Sequence, residues 1–84
     1  MEKNELRGLK VWTLVDARGE PCPAPLLEVK RAIKKVPLGK ILEVRVSDPA
    51  APDDIRIWAR KAGYECLGSL SAKGYERLFI ARKK

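Results

Sequence analysis

The residue best suited to do chemistry in this sequence is Cys22, which is flanked by Pro21 and Pro23. A helical pattern begins just after Cys22, so we take this residue as the helix N-cap, with Pro23 and Pro25 at the first and third positions. Proline fits the first turn of a helix because the N–H groups there have no intrahelical partner. The positive end of a helix dipole favours thiolate over thiol. The pattern therefore predicts a reactive, exposed sulfur.

The two helix prolines also limit which groups hold that sulfur. Both lack an N–H group, which leaves the N–H of Ala24 as the main backbone donor within reach of Cys22. Arg18 is the nearest cation along the chain, and a cation favours the thiolate. On the residues alone a second interpretation stays open, since a lone cysteine near a helix start is often a small buried apolar residue.

Histidine is absent from all 84 residues, and this absence excludes several kinds of active site. Ser-His and Cys-His catalysis cannot be built within this chain. Cys22 and Cys66 alone cannot complete a four-ligand zinc site in a monomer, and their spacing is not that of a C-x-x-C pair. A domain of this size also lacks room for a deep pocket, so we expect neither a metal nor a cofactor.

The sequence is basic, with a formal net charge of +7. Such a surface attracts nucleic acids, acidic membranes or an acidic protein, and charge alone does not choose among them. Residues 1–8 lack the apolar core of a secretion signal, and no apolar run is long enough to span a membrane. We therefore expect a cytoplasmic protein with reduced thiols and no structural disulfide.

Hydrophobic periodicity, β-branched apolar runs and turn residues together predict four strands and two helices in the order β-α-β-α-β-β. The strands are expected at residues 9–15, 41–47, 64–70 and 75–82, with a hairpin loop at 71–74. The first helix is expected to run from residue 23 or 24 to about residue 35, and the second ends at Gly63. Asp48 and Asp54 are expected to cap the start of the second helix.

The second predicted strand indicates how the layers are arranged. Apolar and polar residues alternate between residues 41 and 47, so one face of the sheet is packed and the other is in water. Strand-helix-strand units impose right-handed parallel crossovers, and the last hairpin adds an antiparallel strand. We expect an α/β two-layer sandwich with both helices on one face of a mixed four-stranded sheet. Residues 9–84 form its single domain, after a short polar N-terminal arm at residues 1–8.

Two short motifs surround the cysteine, an Asp-x-Arg-Gly turn within Leu14-Val15-Asp16-Ala17-Arg18-Gly19 and a Cys-Pro-x-Pro motif at Cys22-Pro23-Ala24-Pro25. Together they resemble the signature of the TusA/SirA-like sulfur carrier family. The likeness continues through Gly39-Lys40-Ile41-Leu42-Glu43-Val44, Asp48-Pro49, Asp53-Asp54-Ile55, Trp58 and Gly63. It covers nearly the whole chain after Leu9 and implies the β-α-β-α-β-β two-layer fold. It also implies a cysteine that carries sulfane sulfur as a persulfide and passes it to a partner's cysteine.

The resemblance implies roles for individual residues of this sequence. Cys22 is the sulfur-bearing nucleophile of a carrier rather than of a stand-alone enzyme. Arg18 gives electrostatic support to the sulfur anion. The remaining motif residues shape the turn or rigidify and expose the loop, and they are Asp16, Gly19, Pro23 and Pro25.

The expected partners are a cysteine desulfurase or rhodanese-like donor and a cysteine-bearing acceptor protein. An acidic partner would be attracted by basic residues on the outer face of the first helix, which are Lys30, Arg31, Lys34 and Lys35. The pathway stays open among tRNA thiolation, cofactor sulfuration and sulfur oxidation, because Glu20-Pro21 departs from the leucine that many members have after the turn. We expect no direct binding to nucleic acid.

Two other functions stay open. The net charge of +7, and the likeness of this topology to the C-terminal domain of a bacterial translation initiation factor, suggest a small RNA-binding module. A thiol-redox regulator would use Cys22 and Cys66, although the place of Cys66 in the third strand favours a buried structural residue. The fourth strand, with Leu78-Phe79-Ile80-Ala81, is apolar toward both faces and predicts a partner surface on the open side of the sheet.

Overall fold

The computed structural model describes residues 2–84, which form three helices and four strands. In chain order these are α1 Lys3–Arg7, β1 Thr13–Ala17, α2 Ala24–Ile33, β2 Ile41–Val46, α3 Ala51–Ala62, β3 Glu65–Ala72 and β4 Tyr75–Ala81. The predicted order of strands and principal helices is confirmed, and α1 is an additional element. None of the helices within residues 2–84 has the length and apolar character needed to cross a membrane.

The four strands form one mixed sheet, as predicted, and their order across the sheet is β1-β2-β4-β3. β1 and β2 are parallel, whereas β4 runs antiparallel to both β2 and β3. The carboxyl ends of β1 and β2 therefore meet the beginning of β4 at one end of the sheet. The loops that follow β1 and β2 lie next to each other at this end, which is where Cys22 is found.

Helices α2 and α3 pack against the same face of the sheet, which confirms the two-layer arrangement. From β2, the alternate residues Leu42, Val44 and Val46 are almost completely buried on this face. Val29 of α2 and Ile55 of α3 fill the same core. Burial of these apolar side chains is what holds the two helices on the sheet.

The opposite face of the sheet is partly covered by α1, a segment that the sequence predicts to be a polar arm. Leu6 is only 2% exposed and packs with Leu70 and Phe79 in a second apolar cluster. Phe79 is fully buried. The prediction that the fourth strand offers a partner surface on the open side of the sheet is therefore wrong. A single leucine in a polar segment gives no periodic signal, which is why the pattern misses this helix. Met1, the first residue of the predicted arm, lies outside the described residues.

The ends of several elements differ from the predicted ones. β1 begins at Thr13 rather than at residue 9, and Leu9 and Val11 before it pack against the second apolar cluster. α2 ends at Ile33, short of the predicted end near residue 35. β3 continues to Ala72, which pairs with Tyr75, so the hairpin turn contains only two residues. Gly74 in that turn has a φ of 84°, the conformation that a two-residue hairpin turn favours.

The face that carries α1 also contains a buried carboxylate, Glu43, which is paired with Phe79 in the sheet and is only 4% exposed. Arg45 and Arg77 both donate to its Oε2, at 2.8 and 3.0 Å. Burial by itself raises the pKa of Glu43, but the hydrogen bonds and charges of the two arginines outweigh burial and lower it below the ordinary value. At Glu43, the face predicted to be in water is therefore an ion-paired, largely buried surface.

Candidate functional site

Asp16 and Arg18 shape the turn that leads from β1 towards Cys22. Arg18 donates from Nε to Asp16 Oδ1 and from Nη2 to Asp16 Oδ2, both at 2.9 Å. These hydrogen bonds lower the pKa of Asp16 from 3.8 to about 2. Gly19 has a φ of 82°, which glycine adopts without steric cost, and its N–H donates to Ser47 Oγ at 2.7 Å. The turn is thus tied to the loop that follows β2.

The guanidinium of Arg18 also stacks on the ring of Tyr75 at the start of β4, 4.8 Å from the ring centroid. Arg18 is therefore occupied by a carboxylate and by an aromatic ring. It is not among the groups that shift the pKa of the Cys22 thiol. Both contacts hold the turn in place, whereas the expected support of a sulfur anion by Arg18 stays a prediction. Neither Tyr75 nor Ser47 was identified from the sequence, because only the sheet brings them to this turn.

Cys22 lies exposed on the loop between β1 and α2 and makes hydrogen bonds to two carboxylates. Its backbone N–H donates to Asp48 Oδ2 at 3.0 Å, and its Sγ donates to Asp54 Oδ2, also at 3.0 Å. The Cys22–Pro23 peptide bond is cis. Both the backbone and the side chain of Cys22 therefore attach the loop to the region where α3 begins.

The expectation that Cys22 is the helix N-cap is wrong by one residue. α2 begins at Ala24, its N-cap is Pro23, and Pro25 occupies the second position of the helix. The N–H of Ala24, which the sequence predicts to face the sulfur, donates instead to the carbonyl oxygen of Pro21 at 3.0 Å. A local backbone turn therefore uses the donor that was expected to hold the sulfur.

The surroundings of Cys22 raise the pKa of its thiol above the ordinary value, opposite to the predicted direction. The largest cause is the hydrogen bond to Asp54, which favours the protonated form. Desolvation and the negative charges of Asp54 and Asp48 act in the same direction. The predicted direction relied on the helix dipole, whose effect falls off within the first turn, whereas the Asp54 carboxylate is in direct contact with the sulfur. At neutral pH the structure therefore favours the thiol over the thiolate.

Asp48 and Asp54 contact Cys22, and neither is the N-cap of α3. That N-cap is Ala50, whose methyl side chain cannot accept a hydrogen bond. Asp48 accepts from the N–H of Cys22 through Oδ2 and from the N–H of Ala50 through Oδ1, and these bonds lower its pKa. Asp54 lies in the first turn of α3. Both carboxylates bind Cys22 from 26 and 32 positions away, a separation over which sequence patterns carry no signal.

The four basic residues predicted to attract a partner are all exposed, and they are Lys30, Arg31, Lys34 and Lys35. The prediction that all four lie on the first helix needs correction. Lys30 and Arg31 lie in the last turn of α2, whereas the two lysines follow its end. The carbonyl oxygen of Lys34 accepts a hydrogen bond from Arg82 at 2.8 Å, which fixes the backbone there.

Cys66 lies at the other end of the sheet from Cys22. It is half-buried in β3 and pairs with Ile80, which pairs in turn with Leu42. Thr13 is opposite Leu42, so the start of β1 rather than its end lies level with Cys66. The four residues from there to the end of β1 span about 13 Å. A disulfide tolerates Cα separations up to about 7 Å. A direct bridge between the two cysteines therefore needs a large backbone movement, which argues against the redox-regulator alternative.

Comparison with known proteins identifies the family. The family described as Sulfurtransferase TusA matches residues 13–82, a range that includes the turn, Cys22 and both of its carboxylate partners. The chain belongs to this family. The match spans all four strands and both principal helices, and it confirms the TusA/SirA-like assignment made from the motifs.

Two relatives and one solved structure agree with this assignment. A putative sulfur carrier protein of Archaeoglobus fulgidus is 38% identical over 71 residues, which cover 84% of this chain and 97% of the relative. The sulfur carrier protein TusA of Allochromatium vinosum is 32% identical over 68 residues, covering 81% of this chain and 90% of the relative. A SirA-like protein of Desulfitobacterium hafniense has a crystal structure that matches 86% of this chain and 99% of its own, with a TM-score of 0.76 at 23% identity. This structural likeness confirms the fold.

Proposed function

We propose that this protein is a sulfur carrier that holds sulfane sulfur as a persulfide on Cys22. The observation that carries the proposal is an exposed sulfur on a loop fixed from two sides, by the Gly19–Ser47 hydrogen bond and by the bond to Asp48. The relatives' names, a putative sulfur carrier protein and a sulfur carrier protein TusA, support this role. Such a protein acts as a carrier and not as a stand-alone enzyme.

A sulfur relay requires two exchange steps at this one sulfur atom. In loading, the thiolate of Cys22 attacks the terminal sulfur of a donor persulfide, the donor S–S bond breaks, and the donor cysteine leaves with the electron pair and takes up a proton. In unloading, an acceptor thiolate attacks the terminal sulfur of the Cys22 persulfide. The S–S bond breaks, and the sulfur of Cys22 leaves with the electron pair and takes up a proton. Neither step needs an oxidant or a reductant. An exposed sulfur suits both steps, since each partner must bring its own cysteine within bonding distance.

The partners that fit these steps are a cysteine desulfurase or a rhodanese-like protein as donor, and a protein with a reactive cysteine as acceptor. We propose that the exposed basic residues at the end of α2, Lys30, Arg31, Lys34 and Lys35, attract an acidic partner surface. The acceptor would serve tRNA thiolation, cofactor sulfuration or sulfur oxidation. We place this relay in the cytoplasm, where thiols are kept reduced.

Mass spectrometry of the intact chain tests the proposal. After incubation with a cysteine desulfurase and free cysteine, the chain should gain the mass of one sulfur atom, and a reducing thiol should remove it. Cys22→Ser should abolish the gain. Cys66→Ser is the matched control and should load normally, because Cys66 lies at the opposite end of the sheet. Sulfur uptake that persists in Cys22→Ser would rule out the proposed carrier site. So would a wild-type chain that takes up no sulfur from a cysteine desulfurase or from a rhodanese-like donor.

A further inference from the structure

Cys22 Sγ and Asp54 Oδ2 form a hydrogen bond at 3.0 Å. This bond depends on whether Cys22 is a thiol or a persulfide. Sγ carries a hydrogen atom only while the cysteine is a thiol. In a persulfide, Sγ is bonded to Cβ and to the terminal sulfur, so it has no hydrogen to donate. A persulfide is also a stronger acid than its parent thiol, so its terminal sulfur is largely anionic at neutral pH. The hydrogen bond is therefore available to the empty carrier and lost in the loaded one.

We propose that Asp54 favours release of sulfur from Cys22, because its carboxylate binds the thiol of the empty carrier and repels the persulfide anion of the loaded one. The inference rests on the proposed function and adds a direction to it. In the exchange Cys22–SH + R–S–S⁻ ⇌ Cys22–S–S⁻ + R–SH, one S–S bond breaks and one forms. The proton lost by Cys22 on loading appears on the departing thiol. Asp54 shifts this equilibrium to the left, the direction in which Cys22 gives its terminal sulfur to the partner thiol.

The charged groups that act on the sulfur come from two elements and have the same sign. Asp54 approaches from the first turn of α3, and Asp48 approaches from the loop between β2 and α3. Arg18 follows β1, but its guanidinium is bound to Asp16 and stacked on Tyr75. Within the part of the chain that the structure describes, no cation is among the groups that shift the pKa of this thiol.

Asp53 provides a matched control for the charge of Asp54. It is the neighbouring residue on α3, it is exposed, and its carboxylate pairs with Arg56 at 3.0 Å. Asp53→Asn and Asp54→Asn therefore remove the same charge from adjacent positions, but only the second variant changes the contact with Cys22. Asp54→Ser provides a second replacement in case the asparagine variant folds poorly.

The test measures the exchange constant of the 84-residue chain with glutathione persulfide and glutathione, using the loaded fraction of Cys22 determined by mass spectrometry. Asp54→Asn should raise the constant for loading by about three- to tenfold, since a charge-assisted hydrogen bond and a repulsion are removed at an exposed site. Asp53→Asn should leave it unchanged. In parallel, the pH profile of Cys22 alkylation by iodoacetamide should move to lower pH in Asp54→Asn and stay in place in Asp53→Asn.

Failure of the proposed carrier function and failure of the inference about Asp54 give different results. If the wild-type chain takes up no sulfur, the proposed function is wrong and the inference falls with it. If the wild-type chain loads, and both Asp54 variants have the same exchange constant as Asp53→Asn, only the role of Asp54 is overturned. A lower loading constant in the Asp54 variants would also overturn it, because Asp54 would then stabilise the loaded carrier.

Discussion

The backbone N–H of Cys22 donates to Asp48 Oδ2 at 3.0 Å, which ties the loop that carries the sulfur to the segment between β2 and α3. The other oxygen of Asp48 accepts from the N–H of Ala50 at 2.8 Å. One carboxylate thus bridges two segments that are distant in sequence. The position of the sulfur depends on this bridge as well as on the prolines beside it.

We expect Asp48→Ala to release the N–H of Cys22 to water and to loosen the loop. Hydrogen exchange of the Cys22 amide, followed by NMR, should become about tenfold faster or more, since the amide loses a charge-assisted acceptor. Asp48→Asn keeps an acceptor oxygen and should have a smaller effect. The amide of Val44, within the sheet, serves as the internal reference. Equal exchange of the Cys22 amide in wild type and Asp48→Ala would mean that the bridge does not order the loop.

Arg18→Ala should return the pKa of Asp16 part of the way from about 2 towards its ordinary value of 3.8, because it removes the side-chain hydrogen bonds, which are the largest cause, and keeps the one from the backbone N–H of residue 18. A lowered carboxyl pKa stabilises the folded state above the unfolded pKa, and this contribution is lost as pH falls towards the folded pKa. Both side chains are more than 40% exposed, with relative areas of 43% and 48%, so the effect on stability is small. An NMR titration of the Asp16 carboxyl carbon measures the shift directly. Arg60→Ala should leave that titration unchanged, and the same low pKa in Arg18→Ala would refute the assigned cause.

Glu43→Ala should lower the free energy of unfolding by about 2 kcal/mol, because it leaves Arg45 and Arg77 partly buried without their shared carboxylate. Chemical denaturation at neutral pH measures this loss. Glu65→Ala removes an exposed ion pair with Lys83, which has an N–O distance of 3.2 Å, and should have little effect. If Glu43→Ala and Glu65→Ala lower the free energy of unfolding by similar amounts, the buried ion pairs of Glu43 stabilise the protein no more than an exposed one does.

Leu6→Ala should also destabilise the protein by about 2 kcal/mol, since it leaves a cavity over Phe79 in the second apolar cluster. The hydroxyl of Leu6→Ser should cost somewhat more. Leu38 is 67% exposed, and Leu38→Ala should change stability by less than about 0.5 kcal/mol. Denaturant midpoints of the three variants compare these effects. If Leu6→Ala matches Leu38→Ala, α1 does not contribute to the folded core.

Several main elements of the fold were predictable because their apolar residues repeat with the period of a helix or of a strand. Leu42, Val44 and Val46 alternate in sequence, and all three are buried under the helices. The same logic did not reveal α1, because Leu6 is the only buried residue of that short helix. A single residue has no period, and only the arrangement of the sheet brings Leu70 and Phe79 to meet it.

In the candidate site, the sequence by itself determined which residue presents the sulfur and which turn precedes it. Pro21, Pro23 and Gly19 restrict the backbone locally, and local restriction is visible in a sequence. It did not determine the protonation preference of that sulfur, which depends on groups within a few ångströms in space. Only the tertiary structure brings Asp48 and Asp54 to Cys22, because the parallel pairing of β1 with β2 places their following loops side by side. The sequence-based prediction relied on the helix dipole, whereas the hydrogen bond to Asp54, desolvation and the charges of both carboxylates raise the pKa of the Cys22 thiol.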